Sequence, residues 1–331
     1  MSHTITHSRV YGLNLSIDRL VSNLLLAQLN VAVDVTVHFL ENAESIRTLH
    51  QLGWQRQFPA VEQESGGVEV WQNSSSLLLR YRRTTESVLE FFLDREGTQV
   101  QILKPPCIPE SDAISFLLGP VLGCVLRLRQ QICLHASVLV WQGQAFMLVG
   151  PKGSGKSTTA AALLQQGAAL LADDVAVFSR RYNAFEVEAG YPQLRLMLAP
   201  IRSLGYSSER LQPVLSVGEK CYVPLNSQKS WNFYEKACPL ACVYLLKERQ
   251  KHSDIPVIEQ LNQSSALLKL TPHSYTKYML DDEARQREFY FLGQLVNKLP
   301  VRTVSNPSGL DFLSQISQVI LHDFQSVLKE R

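Results

Sequence analysis

Residues 150–157 read GPKGSGKS, and 17 positions beyond Lys156 the chain carries Asp173 and Asp174 side by side. The first run satisfies GxxxxGK[ST], whose chemistry is the binding of a phosphate chain. Gly150, Gly153 and Gly155, with Lys152 and Ser154 between them, let successive backbone N–H groups turn inward around a phosphate. The helix expected to follow adds the positive end of its dipole. Lys156 supplies a mobile charge for the outer phosphates, and the Ser157 hydroxyl is a ligand for Mg²⁺. Thr158, in the first helical turn, is within reach of an α-phosphate. ATP and Mg²⁺ are therefore the expected cofactors.

The paired acids extend this reading. Two adjacent carboxylates can divide two tasks, one holding Mg²⁺ directly or through water and the other accepting a proton from an attacking hydroxyl. Close together they titrate as a coupled pair, which leaves the division of roles open. A single Asp suits a plain metal-assisted hydrolase, whereas two suit a transferase with its own base.

These residues need elements to place them. AFMLV (145–149) reads as a buried strand entering the loop, and STTAAALLQQ (157–166) as the helix leaving it. Gly167 caps that helix, and AALLADD is the next strand, with Asp173 and Asp174 at its carboxyl end. Ligands of open α/β sheets sit at the carboxyl ends of strands, so both acids are expected beside the phosphates. SVLVW and QAFMLVG flank Gln142-Gly143-Gln144, a hairpin signal. In register, that hairpin sets His135 beside the loop. Arg195, in the alternating stretch YPQLRLML, can face the site and neutralise charge on a transferring phosphoryl group. Lys220 is a lesser candidate of the same kind. Glu186 and Glu188 are either approaches to the metal or the exposed face of an edge strand. Asp281 and Asp282 read as a helix N-cap and first-turn acid.

The chain has 331 residues, 45% hydrophobic and 19% charged, with a formal net charge of +2. That near-balance and the lack of a long basic block exclude a nucleic-acid track. Arg80-Tyr81-Arg82-Arg83 reads as a solvated strand edge. The start lacks the pattern of a signal peptide, and apolar runs such as LLLAQLNVAV stop short of a membrane span, so a cytoplasmic protein without a membrane partner is expected. The six cysteines form no CxxC and read as free thiols.

Residues 1–105 look β-rich: VAVDVTVHF (31–39), GGVEVWQ, SSLLLRYR and VLEFFLDREGTQVQIL all carry strand patterns, and a short helix is expected near Leu20–Leu26. KPPCIPES (104–111) marks a boundary, after which Ser111 or Asp112 caps an apolar helix, AISFLLGPVLGCVLRLRQQ, despite Pro120. Residues 106–331 then interleave strands and helices, ending in a stripe of Leu310, Leu313, Ile316, Val319, Ile320, Phe324 and Val327 at helical spacing. The fold class expected is α/β (α+β overall): a β-rich N-terminal domain, a docking place for substrate, followed by a catalytic domain.

His135, the hairpin, GPKGSGKS, the helix and LLADD together resemble the kinase domain of the HPr kinase/phosphorylase family, whose P-loop core is similar to that of phosphoenolpyruvate carboxykinase. The resemblance implies Mg-ATP-dependent phosphorylation of a serine hydroxyl. It implies Asp173 as the general base, Ser157 and Asp174 on the metal side, and His135 as an active-site histidine. GYPQLRLML, GEKCYVPL and PLACVYLL look like the branch of HPr-kinase-related proteins that modify precursor peptides, among them the lasso-peptide kinases. The expected partner is thus a peptide or protein with an acceptor serine, and a homo-oligomer is compatible with the reading. The Gly-Arg-Asn segment tied to the family's phosphorolytic reaction is absent. Residues 1–105 do not look like that family's N-terminal domain. The competing readings are an ATP-binding regulatory or assembly module that transfers nothing, and a kinase of small metabolites.

Overall fold

The computed structural model describes residues 5–21, 24–27, 31–41, 49–61, 67–82, 87–179, 185–207, 209, 211–225, 231–250, 255–307 and 309–331. The chain divides into two compact units, Met1–Gln130 with Pro213–Gly218, and Gln131–Gln212 with Glu219–Arg331.

The first unit is built on eight strands: β1 (Thr6–Val10), β2 (Leu13–Ile17), β3 (Val35–Phe39), β4 (Gln55–Val61), β5 (Gly67–Gln72), β6 (Ser76–Arg82), β7 (Val88–Asp94) and β8 (Gln99–Leu103). They form one sheet in the order β1-β2-β3-β8-β7-β6-β5-β4. Strict alternation of buried and exposed residues in β1 shows a strand with one face in the core. Val31 and Val33 continue the apolar alternation of β3 in sequence but precede it in space and are exposed. Between Leu20 and Leu26 the described residues form no helix; Leu26 instead makes a bridge to Ser8. The basic run at 80–83 is not an edge either, because β6 lies between β5 and β7. There Arg80 donates from Nε to Glu90 at 2.6 Å and lies over Trp71; Arg83 falls outside the described residues.

The apolar segment after the proline run is helical from Glu110 to Leu128, with a π-turn at Leu117–Val121 around Pro120, which has no N–H to continue the ladder. Pro109, not Ser111 or Asp112, occupies the N-cap. Asp112 lies buried in the first turn and accepts from the N–H and hydroxyl of Ser216 at 2.9 and 2.5 Å. By length and composition these 19 residues could cross a bilayer, contrary to the expectation that apolar runs fall short. Their most apolar window is, however, 72% buried. Tyr11 donates to the Leu118 carbonyl and Phe116 packs on Tyr81, so the segment serves as the core helix of the first unit. That packing carries the unit to Gln130, past the boundary at 105 suggested by composition.

The second unit contains β9 (Cys133–Leu134), β10 (Ala136–Trp141), β11 (Gln144–Val149), β12 (Ala169–Ala172), β13 (Ala176–Val177), β14 (Glu186–Val187), β15 (Gln193–Met197), β16 (Lys220–Pro224), β17 (Asn232–Phe233), β18 (Cys238–Gln250), β19 (Ile258–Gln260) and β20 (Val301–Pro307). Its main sheet runs β17-β12-β10-β11-β18-β20-β19. Helices cover both faces, which explains why the strands read as nearly continuous apolar runs. Leu139, Phe146 and Leu148 point to one core, shared with helices Lys156–Gln165 and Leu313–Glu330. Val138, Met147 and Val149 point to the other, shared with helices Gln263–Leu270 and Asp282–Lys298. Of the C-terminal stripe, Leu313, Ile316, Ile320, Phe324 and Val327 are buried, Val319 is half-buried and Leu310 precedes the helix, and Phe324 is tilted against Phe146 at 4.6 Å between ring centres.

Candidate active site

The hairpin β10–β11 pairs Ala136 with Val149, which sets His135 next to Gly150 across the two strands. β12 pairs antiparallel with β10, so β11 and β12 run the same way and end on the same edge of the sheet. The GPKGSGKS loop leaves β11 at that edge, and Asp173 and Asp174 leave β12 there. The start of β10 lies between them. The loop's tightness is steric: a Cβ on Gly150 would stand 2.7 Å from both the Leu246 carbonyl and the Ser154 hydroxyl.

Lys156 is buried and donates from Nζ to the carbonyls of Gly150 and Pro151 at 2.8 and 3.2 Å. Burial lowers its pKa, and Asp174 and Asp173 partly restore it. Asp173, also buried, is enclosed by donors. The Ser137 and Ser157 hydroxyls donate to its Oδ1 at 2.5 and 3.0 Å, and the Arg195 N–H to its Oδ2 at 3.2 Å.

Asp174 turns the other way, because its φ of 74° reverses the chain immediately after Asp173. It accepts from Arg195 Nη1 at 2.9 Å and from the Tyr275 hydroxyl at 3.4 Å, and its Oδ1 lies 3.3 Å from His135 Nδ1. Burial alone would raise its pKa; Arg195, His135, Lys220 and Lys156 outweigh that and hold the carboxyl below its ordinary value. A non-glycine residue in this backbone region carries strain, which is typical of positions held by their surroundings. His135 Nδ1 lies 3.0 Å from the Asp174 carbonyl, a contact that requires the nitrogen to carry the proton. Burial lowers the pKa of His135 and favours the neutral ring.

Arg195 is fixed from three directions. Besides Asp174, it donates from Nη2 to the Tyr191 hydroxyl at 2.8 Å and lies over the Tyr222 ring. Its strand β15 pairs with β16, whose first residue is Lys220. Lys152 and Gly153 are exposed on the outside of the loop, whereas Ser154 and Thr158 are buried beneath it. Glu186 does not approach the site: it pairs with Pro239 at the amino end of β18, the end of the sheet opposite the loop. Asp281 is the N-cap of helix Asp282–Lys298 and accepts from the Ala284 N–H.

Five contributors carry no motif. Ser137 falls two positions after His135 on β10, so strand alternation could have found it. Tyr191 and Tyr222 brace Arg195. His273 and Tyr275 come from a distant segment that adds to β9: Ser274 bridges Leu134, the His273 carbonyl accepts from the His135 N–H, and the Tyr275 ring stacks on His135. Burial, then Lys156 and His135, push the His273 pKa down to about 4.

Among the described residues no group of three or more His, Cys, Asp or Glu could form a protein-only metal cage. The oxygen donors Ser157 and Asp173, already in contact, instead suit Mg²⁺, which takes one or two protein oxygens and completes its shell with water and phosphate.

No protein-family model matches the chain. Part of the chain is similar to two curated proteins. One is the HPr kinase/phosphorylase of Lactobacillus delbrueckii subsp. bulgaricus, with 32% identity over 102 residues covering 30% of this chain and 32% of that protein. The other is the HPr kinase/phosphorylase of Lactobacillus acidophilus, with 38% identity over 80 residues covering 24% of each. The chain thus spans a third or less of the length of these relatives. Among solved structures, the Hpr(Ser) kinase/phosphatase from Coxiella burnetii superposes with a TM-score of 0.31 and 12% identity, over 59% of this chain and 97% of that one.

Proposed function

We propose that this chain, which is related to the HPr kinase/phosphorylases, is a cytoplasmic Mg-ATP-dependent kinase whose P-loop domain transfers the γ-phosphate to a serine hydroxyl of a peptide or protein. The observation that carries the reading is the single hydrogen-bonded cluster joining Ser157 of the loop, Asp173 and Asp174 of β12, and Arg195 of β15. A loop that only sensed nucleotide would need neither the second carboxylate nor an arginine braced against it.

The loop N–H groups and Lys156 hold the phosphates, for which Lys156 exchanges its two carbonyl acceptors. Mg²⁺, when bound, neutralises charge on the phosphates. The Ser157–Asp173 hydrogen bond supports Asp173 as the carboxylate on the metal side, in place of the Asp174 that the family resemblance implies. Asp174 then faces the acceptor and takes its proton as the oxygen attacks. Neutral His135, donating to the Asp174 carbonyl, holds that carboxylate in place, and Arg195 meets charge on the phosphoryl group in flight.

The test is incubation of the full chain with Mg-ATP labelled at the γ-phosphate and a panel of seryl peptides, proteins and small alcohols. Label on a seryl acceptor, lost in K156A, is the expected result. Tight nucleotide binding with no transfer to any hydroxyl would overturn the kinase reading in favour of a nucleotide-sensing module. Label only on small alcohols would move the acceptor to metabolites.

A further inference from the structure

We infer that Arg249 is a second phosphate-directed cation of the nucleotide site, holding the phosphate chain of the nucleotide from the side opposite the aspartates; this rests on the nucleotide reading above.

β18 is the parallel neighbour of β11 on the side away from β10 and β12, and the last residues of β18 reach the edge where the loop begins. There Arg249 lays its guanidinium over Gly155. A Cβ on Gly155 would stand 2.9 Å from Arg249 Nη2, 3.6 Å from Nε and 3.7 Å from Cζ. Gly155 is required for its φ of 95°, and the guanidinium rests in the open space beside its Cα. It immediately precedes Lys156, so the guanidinium lies against the loop where phosphate must enter.

Lys247, two positions earlier, is tied to Glu259 at 2.8 Å, whereas the Arg249 side chain is exposed and has no ion pair or hydrogen bond among the described residues. A charged side chain lying on glycine backbone without an anion is poised for one to arrive. The local charge agrees. Lys156, Arg195 and Lys220 all act on Asp174, and Arg249 brings to four the cations set around two carboxylates. That excess of positive charge matches a polyphosphate. Arginine also suits the task by chemistry, since its planar fork meets two phosphate oxygens at once.

The position separates the role of Arg249 from that of Arg195. Arg195 stands with the acids on the acceptor side. Arg249 stands beyond the loop, where it holds the nucleotide before and after transfer alike, so its loss weakens Mg-ADP and Mg-ATP together.

The experiment is titration of the full chain with Mg-ADP and Mg-ATP, by calorimetry, for wild type, R249Q, R249K and K156A. R249Q is expected to weaken both nucleotides by about tenfold or more, and R249K to recover part of the loss. If K156A loses nucleotide while R249Q binds as wild type, the assignment of Arg249 is overturned and the nucleotide site stands. If K156A also binds as wild type, the nucleotide reading itself fails. Melting curves of the free variants show whether R249Q is folded, and should R249Q be destabilised, an R249K variant that is folded and weakened severalfold in nucleotide still supports the assignment, whereas one that binds as wild type overturns it.

Discussion

The hydroxyl of Ser157 donates to Asp173 at 3.0 Å, so a loop residue expected to meet Mg²⁺ is already joined to the first of the two paired acids. One hydrogen bond thereby ties the end of β12 to the start of the loop helix. It also distinguishes two carboxylates that are equivalent by sequence, since Asp174 makes its contacts with Arg195, Tyr275 and His135 instead.

The two acids should fail differently. D173N is expected to raise the Mg²⁺ concentration needed for half-maximal transfer, while D174N leaves that requirement near wild type and lowers kcat by about 10²–10⁴. Magnesium titrations of both variants at saturating ATP make the comparison. A raised requirement in D174N alone would return the roles to the order implied by the family resemblance.

Removing Arg195 should cost both stability and activity. R195Q leaves half-buried Asp174 beside a neutral side chain, and removing one partner of a charged hydrogen bond there costs about 1–3 kcal/mol. Asp174 contributes stability above the pKa of an unfolded carboxylate, and that contribution fades as pH falls through its depressed folded value. In R195Q the folded value rises, so the acid limb of both stability and transfer should move to higher pH. Urea denaturation across pH 3–8 would show it.

His273 should make the fold acid-sensitive. Its folded pKa of about 4 lies below the ordinary histidine value of 6.5, so the unfolded chain binds the extra proton first. Stability from the neutral ring is complete above about pH 6.5 and is lost progressively as pH falls towards 4. H273Q should flatten the stability profile in that window; a slope identical to wild type would place the acid sensitivity elsewhere.

The loop and its support can be probed separately. G150A forces a Cβ into the Leu246 carbonyl and Ser154 hydroxyl, and should abolish nucleotide binding while most of the fold survives. F324A removes a fully buried ring from the face of the sheet shared with the loop helix, and should cost about 3–5 kcal/mol with nucleotide affinity retained at low temperature. Thermal melts paired with nucleotide titration separate the two effects.

Much of the site was legible in the chain itself because its parts are local. The loop is contiguous, a two-residue turn sets the hairpin register, and one helix plus a four-residue strand must return the chain to the same edge, which placed His135, Lys156, Ser157 and the acids together. Arg195 was legible as a candidate through alternation in β15. The expectation that apolar runs stop short of a membrane span fails at Glu110–Leu128, because length and composition alone do not tell a buried core helix from a span.

The sequence by itself thus determined which groups can bind phosphate and on which edge of a sheet they stand, since backbone geometry and side-chain period act over short distances. Tertiary structure alone decided how those groups are partnered. Tyr275 reaches Asp174 from 101 positions away, Arg249 meets Gly155 through a parallel strand, and the reversal at Asp174 turns one acid to Ser157 and the other to Arg195. Such contacts follow from strand order and packing, and no spacing along the chain encodes them.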